Sequence, residues 1–189
     1  MSTAGLTWRV VRSRIRMRHL AWAVVSLAVF TLSALPGVVE AAARNLYVHN
    51  VEHMTMAIAG LLLGLPFGDL YRHGLGAWLA RSRASAGRAA IQARVRAVSW
   101  GIVVTAAALD LLIMLPQVSR FVSQHPLAHA LEHGVIYLLY ALFGSALVVA
   151  VRSRPLAWLV ALMYVVMLAM YVGDESVVMA VTLAARGVA

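Results

Sequence analysis

Residues 45–66 read NLYVHNVEHMTMAIAGLLLGLP. From Met54 onward the stretch carries no charge, and the whole is about the length that crosses ~30 Å of hydrocarbon at ~1.5 Å per residue. Backbone groups in lipid must find partners within their own segment, so such a run is a helix. Comparable apolar runs lie at 20–39, 97–116, 127–151 and 155–173. Pro36-Gly37, Pro66, Pro116, Pro126 and Pro155 fall at or near the boundaries of these runs and are expected to end them. The chain therefore reads as all-α: one polytopic membrane domain over residues 1–189, a bundle of about five transmembrane helices.

Composition agrees. Of 189 residues, 62% are apolar and 12% charged, with a mean hydropathy of +0.84. A soluble domain has about 45–50% apolar and about 25% charged residues, so a water-soluble globule is excluded. A disordered chain is excluded by the same apolar surface. There is no cysteine, which removes disulfides, thiolate ligands and cysteine nucleophiles. All 16 basic residues are arginine, against seven acids. In a soluble protein that excess would suggest nucleic acid. Here the placement of the arginines assigns them to membrane orientation, so the bilayer is the expected partner and nucleic acid is not.

Thirteen of the 16 arginines precede the first run, lie between the second and third, or lie between the fourth and fifth. The positive-inside rule puts those segments in the cytoplasm. The amino terminus and an Arg-rich loop at 67–96 are then inside, and Gly173–Ser176 is outside. A cleaved signal sequence ending near Ala41-Ala42-Ala43 is the competing reading of the start. Its basic and apolar parts are both long for a signal, and residue 45 starts outside either way. Residues 174–189 are too short to cross alone; they extend the fifth helix, re-enter or lie at the interface. No internal repeat of fixed period is expected, although the second and fourth runs carry similar histidine patterns.

With this topology, six of the seven acids and five of the seven histidines fall on the outer side. Ionisable groups within spans are costly and point to function. On a helix, His49, Glu52, His53 and Met56 share one stripe, and His125, His129, Glu132 and His133 share another. Both stripes start at outer helix ends. Two facing His pairs place four imidazoles around one point, as helical bundles do at metal sites. The expected ligands are His49, His53, His129 and His133. His125, Met56, Met114 and Asp110 are further candidates, and Glu52 and Glu132 are acceptors that orient the imidazoles. Imidazole suits copper, zinc, iron and nickel, and thioether tilts the choice to copper(I). Binding requires neutral imidazole, so affinity should weaken below the ~6.5 reference pKa. The bland alternative is that each histidine is a hydrogen-bond partner in helix packing.

The run His49-Asn50-Val51-Glu52-His53-Met54 followed by Gly60–Pro66, and the run from Met114-Leu115-Pro116 through His125–His133 to Phe143-Gly144, resemble the CtaG family of cytochrome c oxidase assembly factors. The resemblance covers roughly residues 45–150. It implies a polytopic protein of the bacterial cytoplasmic (inner) membrane that handles copper near the extracytoplasmic face and has a copper oxidase or related redox complex as partner. The chain departs from the family in having Ile113-Met114-Leu115-Pro116 where a Trp-His-Leu-Pro-like end is common, and in having fewer spans.

Three functional readings follow. The first is a non-enzymatic copper-binding protein that supports assembly of a respiratory oxidase. The second is a haem-b or quinol-interacting anchor of a redox complex, with Gly60, Gly64 and Gly134 giving room for a macrocycle. The third is a structural accessory subunit. No catalytic residues are expected, because no nucleophile–base motif, phosphate-binding loop or HExxH pattern is present.

Overall fold

The computed structural model describes residues 17–82, 87–113, 115, 117–118, 121–122 and 125–166. Its helices are α1 (Met17–Ser33), α2 (Pro36–Arg44), α3 (Leu46–Ser82), α4 (Arg88–Ile113) and α5 (Pro126–Val151), followed by α6 (Arg154–Val166). No strand occurs among the described residues. Among the described residues, three helices are long and apolar enough to cross a membrane, spanning Val48–Arg81, Arg88–Ile113 and Leu127–Val151, and the α1–α2 pair makes a fourth if counted as one broken span. Large apolar side chains point outward along the bundle, among them Val24, Val104, Leu111, Leu131 and Leu138. An apolar surface this extensive suits lipid and not water. The molecule is a helical membrane bundle.

The helix boundaries differ from the sequence reading in three places. The first run breaks near Leu35, where Pro36 has no N–H to continue the ladder but suits a helix start; α1 and α2 meet at a 55° bend. Pro66 lies inside α3 and does not end it. A proline is tolerated within a packed membrane helix; the carbonyl it leaves without an intrahelical donor is that of Leu62, while the neighbouring Gly64 carbonyl accepts from Ser145 of α5 at 2.9 Å and ties the two helices together here. The expected loop at 67–96 is therefore mostly helix, shared between the end of α3 and the start of α4, and its alanines and arginines are good helix formers. Only part of the fifth run, through Val166, and none of residues 174–189 falls within the described residues.

The central pair is α3 with α5, and the two run parallel. The His49 and His129 rings meet near their starts, and Gly68 faces Val148 some five turns further on. Gly60, Gly64 and Gly68 recur every fourth residue on the face of α3 turned to α5. A Cβ on Gly64 would stand 2.8 Å from the Ala141 carbonyl carbon, and one on Gly60 would stand 2.7 Å from the Tyr140 Cβ. Small residues at this spacing let membrane helices approach backbone to backbone. The remaining helices brace the pair. Ser26 of α1 donates to the Ala59 carbonyl at 2.7 Å and lies 2.9 Å from the Tyr137 hydroxyl. Tyr71 of α3 meets Ser99 of α4 at 3.3 Å. Arg154, opening α6, pairs with Asp69 of α3.

Facing residues such as His49 and His129, Gly60 and Tyr140, and Gly68 and Val148 are eighty positions apart in the chain, and the sequence repeats at that displacement without a gap. Leu35-Pro36 matches Leu115-Pro116, Gly64 matches Gly144, Arg72 matches Arg152, and Ala77-Trp78-Leu79 matches Ala157-Trp158-Leu159. The His-x-x-Glu-His of 49–53 returns at 129–133. This corrects the expectation of no fixed-period repeat. Each repeat holds two long helices, so both copies keep one direction and are related by rotation about an axis along the bundle. The copies differ at their far end. Where α3 runs on past Arg72, α5 stops at Arg152 in a left-handed conformation (φ 57°), because Pro155 stands where the first copy has Leu75 and disfavours an unbroken helix.

Replacing Gly64 with Ala should destabilise the bundle by about 1–3 kcal/mol through overpacking. Gly134→Ala, whose Cβ meets nothing within 4 Å, should be neutral or stabilise by up to about 1 kcal/mol. Thermal unfolding of both variants in detergent is the measurement.

Candidate metal centre

The first two turns of α3 carry His49, Glu52 and His53, and those of α5 carry His129, Glu132 and His133. The i, i+3, i+4 spacing puts each trio on one helix face, and the glycine-set register turns the two faces together at the same level. All but His129 are buried, Glu52 most deeply at 2% exposure; the His129 side chain is 12% exposed.

The contacts are matched across the interface. His53 Nε2 lies 3.1 Å from Glu132 Oε2, and its counterpart His133 Nε2 lies 3.5 Å from Glu52 Oε1. The other Glu52 oxygen is 3.8 Å from both His49 Nδ1 and His129 Nε2. His129 and His133 bring their Nε2 atoms to 3.1 Å. Donor atoms of His49, His53, His129 and Glu132 all lie within 4.8 Å of one another, and so do those of Glu52, His129 and His133. Ligands bound at ~2.0–2.2 Å to one ion stand roughly 3–4 Å apart, which is the spacing found here.

Five buried atoms in this cluster have no hydrogen-bond partner: His49 Nε2, His53 Nε2, both Glu52 oxygens and Glu132 Oε2. His53 and Glu132 approach closely enough to bond but are not aligned for it. Burying carboxylate oxygens without partners costs several kcal/mol each. A cation bound among them removes that penalty, and the donor chemistry of two carboxylates and four imidazoles fits a transition metal. The sequence reading treats Glu52 and Glu132 as orienting groups. The structure instead puts their oxygens among the ring nitrogens, in position to ligate.

The four expected histidines are all in the cluster; the further candidates fare differently. His125 is exposed before α5, with its Nδ1 2.7 Å from the Phe121 carbonyl, and it belongs to neither donor group. Asp110 is buried but accepts from the Tyr164 hydroxyl at 2.8 Å and is also outside both groups. Met56 is wholly buried, one turn beyond the histidines, as part of the apolar core with Ala57, Leu61, Ile136 and Tyr140. Met114 lies outside the described residues. The sequence reading passed over Tyr164, and a lone tyrosine in an apolar run gives no signal of what it meets.

Comparison of the chain with protein-family models, with curated proteins and with solved structures finds no match.

Affinity for an added divalent transition metal should be unchanged by His125→Ala and lowered by more than about tenfold by His133→Ala, since even groups that only orient a ligand contribute ~10–100-fold. Competition titration against a chelator in detergent distinguishes the two.

Proposed function

We propose that this chain is a membrane protein that holds a transition metal, with copper the first candidate, between the starts of α3 and α5. It acts as a non-enzymatic factor in assembling a respiratory oxidase or related copper enzyme. The observation that carries the metal reading is the set of buried, partnerless donor atoms on His49, Glu52, His53 and Glu132, which lie with His129 and His133 in two close donor groups between facing helices. Histidines that serve only packing satisfy one another, as His129 and His133 do at 3.1 Å. His49 and His53 instead leave ring nitrogens without a partner beside partnerless carboxylate oxygens.

Imidazole donors and the resemblance to CtaG assembly factors support copper. The two carboxylates favour its divalent form over copper(I), because oxygen is a harder donor than thioether. The arginine distribution supports placing the histidine end of the bundle at the extracytoplasmic face of a bacterial inner membrane. The oxidase as partner rests on the resemblance alone. A haem between the same helices has less support, since the room offered by Gly60 and Gly64 is filled by the backbone and side chains of α5.

Protein purified without chelator should contain copper by mass spectrometry, and the double variant His53→Ala/His133→Ala should contain none. Full copper in that variant would contradict the assignment. A Soret band in the native protein would replace copper with haem.

A further inference from the structure

We infer that the centre is two metal sites, not one, each built by both repeats. This rests on the metal reading above and deepens it. The repeat sorts the six donors into two equivalent trios: His49, His53 and Glu132 in one, and His129, His133 and Glu52 in the other. Each trio takes its two histidines from one helix and its carboxylate from the facing helix. Each is a two-His, one-carboxylate set, a common arrangement for a divalent transition metal with open positions.

The geometry supports this division. The donors fall into two groups whose members lie within 4.8 Å of one another: His49, His53 and Glu132 with His129, and His129 and His133 with Glu52. His129 falls in both, but its Nε2 lies 3.1 Å from His133 Nε2 and 3.8 Å from Glu52, which completes the second trio. The carboxylates cross the interface in opposite directions, as the 3.1 Å and 3.5 Å His–Glu contacts show. Three of the four carboxylate oxygens are partnerless, so each Glu has capacity beyond one contact. With Glu52 within 3.8 Å of histidines from both helices, a carboxylate is placed to bridge ions a few ångströms apart, as in two-metal sites. Two cations also balance two buried anions better than one.

The test is titration of the full chain in detergent with copper(II), reading bound metal per chain by mass spectrometry and spin coupling by electron paramagnetic resonance. Two ions per chain with a coupled signal are expected. Glu132→Gln should retain one ion with an isolated copper(II) signal, and that retained ion shows that the variant is folded. One ion per chain in the native protein, with an isolated signal, overturns the two-site inference and leaves the metal reading standing. No bound copper overturns both.

Discussion

The close approach of α3 and α5 along Gly60, Gly64 and Gly68 is the constraint on which the rest of the structure depends. In lipid no hydrophobic force drives two apolar helices together, so packing and interhelical hydrogen bonds must do it. A side chain on any of these glycines would meet α5 at less than contact distance. The approach also fixes register, because each glycine seats against a defined turn of α5. One helical turn of slippage would move His53 away from Glu132 and break the matched contacts at the other end of the pair.

That register makes an otherwise unfavourable centre possible. Two carboxylates and four imidazoles are buried in an apolar bundle, at a depth where no amount of helix propensity compensates for partnerless charge. The apolar layer of Met56, Ala57, Leu61, Ile136 and Tyr140 closes the floor beneath them. The bracing contacts of Ser26, Ser145 and the Asp69–Arg154 pair lie away from the donors. They hold the helices without engaging the donor atoms of the His/Glu cluster. Bracing contacts and the cluster thus occupy different levels of the same two helices.

Much of this was legible in the residues. Apolar run length identified membrane helices, and histidine spacing on two runs selected four side chains that the structure brings together. The glutamates were visible on the same stripes, but stripe position cannot tell a ligand from a group that orients one; that depends on how far the facing helix approaches. Pro66 misled because a proline's cost to a helix depends on what surrounds it. The repeat is faint in the sequence because most matched positions are interchangeable apolar residues, and the identities that stand out, such as Trp78 with Trp158, are scattered. The near-constant displacement of about eighty between facing residues of α3 and α5 is what makes it plain.

Oxidative cross-linking tests the parallel, in-register pairing most directly, in a chain that has no cysteine of its own. The account predicts that His49→Cys/His129→Cys, at positions whose rings meet at 5.2 Å, forms a disulfide within one chain, while His49→Cys/Val151→Cys forms none. A cross-link in the second pair and not the first would contradict it.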